Sequence, residues 1–89
     1  DFADSAAESA FRAELRAWLR EHVPRGPRVF GTLEEEAAFL SAWQRTLDAH
    51  GWAAVHWPRA YGGRGASLSE QAIFQQEMAA ARAPQMMNR

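Results

Sequence analysis

The stretch Gly51-Trp52-Ala53-Ala54-Val55-His56-Trp57-Pro58-Arg59-Ala60-Tyr61-Gly62-Gly63-Arg64-Gly65 decides how the chain is read. It places three aromatic residues, one proline and four glycines in fifteen positions. Glycine supplies backbone angles and close approaches that other residues resist. A connection this long is uncommon unless it is packed or functional. The segments on either side carry the period of amphipathic helices, so the loop joins two helices. No convincing β alternation exists elsewhere, and only 53–57 reads as extended.

Working outward, each flanking helix starts with the same signature. Ser5 with Glu8, Thr32 with Glu35 and Ser67 with Glu70 all match the capping box. There a hydroxyl takes one orphan N–H of the first turn, and the acid three residues on takes another. The first helix is expected over 6–22, with Phe11, Leu15, Trp18 and Leu19 as its buried stripe. The Pro24 to Pro27 turn ends it. The second is expected over 33–50, with Ala37, Phe39, Leu40, Trp43 and Leu47 on its apolar face. Glu34, Glu35 and Glu36 in its first turn and His50 in its last suit the helix dipole. Gly51 is the expected left-handed residue just past its end. The third is expected over 68–82, with Ile73, Phe74, Met78 and Ala81 buried and Gln71, Gln75 and Gln76 wet. Ala83-Pro84 stops it.

The bulk properties narrow the function classes. The chain has 89 residues, enough for one small domain or part of one. Hydrophobic residues make up 47%, a globular composition, and four Trp with five Phe are many for three helices to bury. There is no cysteine, so neither a disulfide staple nor a thiolate metal site is available. A formal net charge of −1 argues against a nucleic-acid module. No apolar run approaches the length of a membrane span and no signal peptide is visible, which gives an expectation of a cytoplasmic protein. The chain starts at Asp1 and stops at an apolar, unpunctuated tail, so it is expected to be a piece of a longer polypeptide.

No complete active site is recognisable. Gly62-Gly63-Arg64-Gly65 lacks the Lys-Ser/Thr ending of a P-loop and does not follow a strand. A structural turn is favoured over a phosphate site, although Ser67 opens a helix N-terminus nearby. Arg12, Arg16 and Arg20 repeat at i+4 and read as a solvated face rather than an anion contact. The Glu34–Glu36 run points to different sides of its helix and does not converge on a metal. His22, His50 and His56 lack metal-ligand spacing, and His56 is expected in a hydrogen-bonded packing role.

One order of features stands out: Arg-Ala-Glu-Leu-Arg-Ala-Trp-Leu at 12–19, then Trp43-Gln44-Arg45-Thr46-Leu47 running into Gly51-Trp52. Trp57-Pro58, Tyr61-Gly62-Gly63 and Gly65 follow, then Gln71, Ile73-Phe74, Glu77-Met78-Ala79 and Arg82-Ala83-Pro84. This order resembles the N-terminal helical domain of the acyl-CoA dehydrogenases, especially the bacterial branch. Ala60 departs from the pattern, since many relatives carry Glu there.

The resemblance implies an all-α, small orthogonal helical bundle over residues 1–89, followed in the full subunit by a β-rich middle domain and a C-terminal helical bundle. FAD sits between those other domains. A glutamate of the C-terminal domain removes the α-proton of an acyl-CoA thioester while the flavin takes the β-hydride. This segment is then expected to hold no catalytic residue and no metal, to be inactive alone, and to cover the active site. Met86, Met87 and Asn88 are the candidates for facing the acyl-tail cavity. Trp52, Trp57, Pro58, Tyr61, Gly62, Gly63 and Gly65 are assigned to scaffold, with the three aromatics clamping the second helix to the third. The implied partners are an acyl-CoA, an electron-transfer flavoprotein or similar acceptor, and the other domains or subunits of a homo- or hetero-tetramer. No nucleic acid and no membrane is expected. Alternatives are a stand-alone helical protein-interaction module, a non-catalytic supporting subunit of a heteromeric dehydrogenase, or an acyl-CoA oxidase of the same superfamily.

Overall fold

The computed structural model describes residues 3–85, and the expectation for Met86, Met87 and Asn88 lies outside them. Three α-helices follow one another: α1 (Ala6–His22), α2 (Leu33–Ala49) and α3 (Leu68–Ala80). A short 3-10 turn (Arg59–Tyr61) interrupts the loop between α2 and α3. Among the described residues there is no strand, and the fold is all-α.

The caps form at all three starts. Ser5 and Glu8, and Ser67 and Glu70, make the reciprocal pair of bonds. At α2 the Thr32 hydroxyl accepts from the Glu35 N–H, but the Glu35 carboxylate reaches one residue further back, to the Gly31 N–H at 2.7 Å. The α2 C-terminus closes in a Schellman turn. Trp52 N–H donates to the Leu47 carbonyl at 2.8 Å and Gly51 N–H to Asp48 at 3.2 Å, with Gly51 at φ +78. Leu47 and Trp52 both enter the core, the apolar contact that accompanies this motif.

α3 ends two residues before its expected limit. Ala83 N–H donates to Met78 and Arg82 N–H to Ala79, a second Schellman turn. Here Arg82 occupies the left-handed position, at φ 55, where glycine would be unstrained. The turn sends Ala83 and Pro84 back against the domain, and both are buried.

The core is one cluster. Phe11, Leu15 and Leu19 of α1, Trp43 and Leu47 of α2, Trp52 and Val55 of the loop, and Ile73 of α3 are all buried. Helices α1 and α3 pack directly on each other. α2 joins them only through its C-terminal half. Its first half leaves the core: Leu33 is 80% exposed, Ala37 is exposed, and Leu40 and Phe39 are half-buried. Phe39 leans instead on Phe30, with ring centroids 5.1 Å apart. The projecting arm makes the molecule elongated: its radius of gyration is 14.1 Å, against about 12 Å for a compact chain of this length.

Candidate functional site

The loop at 51–66 is held by its own backbone. Val55 carbonyl accepts from both Arg64 and Ala66, Trp57 accepts from Gly65 at 2.7 Å, and Pro58 accepts from Tyr61 and Gly63. Gly62 donates to Arg59. A Cβ at Gly63 would collide with the carbonyl oxygens of Trp57 and Ala54, so only glycine fits there. Every N–H from Gly62 to Ala66 therefore points inward to a carbonyl of 55–59. A phosphate cradle needs those donors free.

The loop's cation is also committed. Arg64 lies with its guanidinium carbon 3.5 Å from the centre of the Trp52 ring, a cation–π contact. It donates to the Glu14 carboxylate at 2.6 Å and to the His50 carbonyl. One side chain thus ties the loop to α1 and to the end of α2. These loop residues do not fit the pyrophosphate of a dinucleotide.

Trp52 is the aromatic anchor. It is 1% exposed and meets Phe11 edge-on, Trp18 at a tilt and Phe74 in a stack, which links the end of α2 to both other helices. Trp57 and Tyr61 depart from the expected clamp. They are 51% and 74% exposed and form an outward apolar ledge with Pro58. His56 is likewise exposed, with its ring edge toward Trp57, rather than packed as expected.

The arginine row is the main correction to the sequence reading. Arg12 and Arg16 do not simply face water. Glu77 of α3 is 4% exposed, and both guanidiniums close on it: Arg12 at 2.7 Å, Arg16 at 2.9 and 2.8 Å. Arg12 also holds Asp4 at 2.8 Å. Hydrogen bonds from Arg16 and then Arg12 keep the Glu77 carboxylate at about 2, below its ordinary 4.5, against the opposing effect of burial. Asp4 is lowered as well, chiefly by its hydrogen bond from Arg12. This cluster locks α1 to α3. A signal for it existed in the sequence, since Glu77 sits four residues after Ile73 on the buried stripe.

His22 and His50 lie 4.8 Å apart, beside Trp18, and each has its Nδ1 within 3.0 Å of a carbonyl of its own helix. Among the described residues no group of three or more His, Asp or Glu side chains converges on a metal position. No helix of the described residues is long and apolar enough to cross a membrane.

Two concave regions flank α3. One groove of about 380 Å³ runs between α1 and the end of α3, with Leu19, Val23 and Ala81 as its floor and Arg16, Arg20 and Arg25 at its rim. A second cleft, of about 310 Å³, lies between the C-terminal half of α2 and α3 and is bounded by Trp52, Pro84 and Gln85. Gln85, the last described residue, lies at this cleft.

With this geometry in view, the chain can be compared with known proteins. The family model described as acyl-CoA dehydrogenase, N-terminal domain, matches residues 5–88. The chain belongs to the acyl-CoA dehydrogenase family. It is 36% identical over 84 residues to acyl-CoA dehydrogenase IpdE1 of Mycolicibacterium smegmatis, covering 88% of this chain and 21% of that protein. It is 33% identical to acyl-CoA dehydrogenase IpdE1 of Mycobacterium tuberculosis, over 88% of this chain and 22% of that one. Acyl-CoA dehydrogenase FadE26 of Mycobacterium tuberculosis is 31% identical, over 86% of the chain and 20% of the relative. The chain therefore spans about a fifth of the length of the curated relatives it matches. No solved structure matches it at a comparable significance.

Proposed function

We propose that this chain is the N-terminal helical part of an FAD-dependent acyl-CoA dehydrogenase that introduces an α,β double bond into an acyl-CoA thioester. The observation that carries the reading is the family match across 5–88, joined to homologues named acyl-CoA dehydrogenases. The flavin, the base that takes the α-proton and the main CoA contacts belong to other parts of the polypeptide or to a partner subunit. The inward-turned loop donors are in keeping with that division, because the glycine-rich loop has no N–H free for a pyrophosphate.

This segment acts as a cover. A packed helical wall over the reacting flavin and thioester excludes water from the charged intermediates of the reaction. The exposed ledge of Trp57, Pro58 and Tyr61 and the free apolar arm of α2 support such a role, since large apolar surface of this kind marks interfaces. Met86, Met87 and Asn88 then line the acyl tail. Electrons leave through an electron-transfer flavoprotein or a similar acceptor, and the working form is an oligomer of such subunits.

The test uses the full-length flavoprotein and thioesters of graded length. Met86→Trp or Met87→Trp fills the far end of the cavity, so kcat/KM for long acyl chains falls more than tenfold relative to short ones, about 1.4 kcal/mol of lost binding per decade. An equal effect at every chain length would remove these residues from the tail cavity.

A further inference from the structure

His22 and His50 are far apart in the sequence, yet the fold brings their ring centres to 4.8 Å. His22 is the last residue of α1, and His50 caps α2 at its C-terminal end. Both rings are held from behind. The His22 Nδ1 lies 2.9 Å from the Trp18 carbonyl, and the His50 Nδ1 lies 3.0 Å from the Thr46 carbonyl. A carbonyl can only accept, so each Nδ1 donates and Nε2 is the atom left to ligate. Among the described residues neither Nε2 has a hydrogen-bond partner. His22 also stacks on Trp18, with centroids 4.4 Å apart, which sets the plane of its ring. A ring N–H donated to a backbone carbonyl is the support that metal-bound histidines use, since it fixes both tautomer and orientation.

The spacing fits a shared ion. Imidazoles bound through Nε2 at about 2.0–2.1 Å from one metal hold their ring centres about 4.5–5.2 Å apart, for ligand angles of about 90–109°. The observed 4.8 Å falls inside that range. Two helices end here, and the negative ends of their dipoles favour a cation. The Arg64 guanidinium, which donates to the His50 carbonyl, is paired with Glu14 and adds no net charge. We propose that His22 and His50 form a two-histidine site for a divalent transition metal of the kind imidazole prefers: copper, nickel or zinc. Water fills the remaining positions. The bound ion clasps the C-terminal ends of α1 and α2, just where Gly51 turns the chain toward Trp52. The site does not depend on the dehydrogenase reading.

The experiment titrates Cu2+, the divalent ion that nitrogen sites hold most tightly, into the full-length protein. Electron paramagnetic resonance follows it, since oxidised flavin is silent there. A bound copper is expected whose signal carries the splitting of two imidazole nitrogens. His22→Phe keeps a ring on Trp18, and His50→Gln alters an exposed side chain, so both leave the core intact. Each is expected to weaken this copper by about tenfold or more, because losing even a partner behind a ligand costs that much. The double variant is expected to lose the two-nitrogen signal, while its flavin bleaching with acyl-CoA is unchanged. Zinc should raise the Tm of the unsubstituted protein and leave that of the double variant where it was. A two-nitrogen copper signal that survives the double substitution overturns the site. So does an unsubstituted protein that binds no copper or shows a single nitrogen. Either result leaves the dehydrogenase reading standing, since that reading is tested by bleaching alone.

Discussion

The two sides of this small domain are built on opposite principles. On the α1–α3 side the buried charge is paired: Glu77 lies between two arginines, Asp4 backs Arg12, and Leu15, Leu19 and Ile73 fill the space beneath. On the other side, the ledge of Trp57 and Tyr61 and the first half of α2 present large apolar groups to solvent. The difference teaches where the fold is decided and where it waits for a neighbour. Trp52 marks the border, since it belongs to the same loop as Trp57 yet lies at the centre of the core.

The strongest way to break the comparison is at that border. Trp52→Ala removes the ring shared by Phe11, Trp18 and Phe74 and also the surface on which Arg64 rests. A loss of about 3–5 kcal/mol is expected, the usual range for a buried Trp or Phe truncated to Ala. Urea denaturation followed by far-UV circular dichroism reads it, and a loss under about 1 kcal/mol would show that the cluster is not the core.

The next effect is on the closed side and depends on pH. Glu77 titrates at about 2 when folded and near 4.5 when not. A depressed carboxylate contributes stability that is fully present above 4.5 and is lost as pH falls from 4.5 toward 2. The stability of the domain should fall through that window. Glu77→Gln should flatten that part of the profile and lower stability at pH 7 by about 3 kcal/mol, the lower end for breaking a buried pair because Arg16 can return to water. A parallel pH profile in the variant would assign the acid sensitivity to another group.

The smallest effect sharpens the open side. Trp57→Ala should change the stability of the 89-residue chain by under about 0.5 kcal/mol, as for an ordinary surface position. In the full-length protein the same change should cost about 1–3 kcal/mol, the scale of an interface aromatic. Equal effects in the two contexts would mean that the ledge stays exposed.

Much of the fold was legible because its signals are local. A hydroxyl and an acid three residues apart fix each helix start, and the Ser5, Thr32 and Ser67 caps all formed. Glycine after α2 fixed the turn that carries Trp52 inward. What was not legible depends on which helix faces which. An i+4 row of arginines on a surface helix and one that embraces a buried acid look the same until α3 is placed beside α1. The outward turn of Trp57 and Tyr61 was hidden for a similar reason, because composition does not say how many aromatics one core can hold. The end of α3 escaped because Arg82 takes a left-handed conformation that usually signals glycine. Of the site, the loop glycines were legible from their chemistry, whereas the cleft beside Trp52 is assembled from two helices and the turn after α3.

The central claim is that this segment serves a flavin dehydrogenase that oxidises acyl-CoA thioesters. Its most direct test is the visible absorption spectrum of the full-length protein before and after anaerobic addition of a mixture of acyl-CoA thioesters. The account predicts oxidised flavin bands that bleach on addition. A protein that binds no flavin, or whose flavin bands stay unchanged with every thioester, would contradict it.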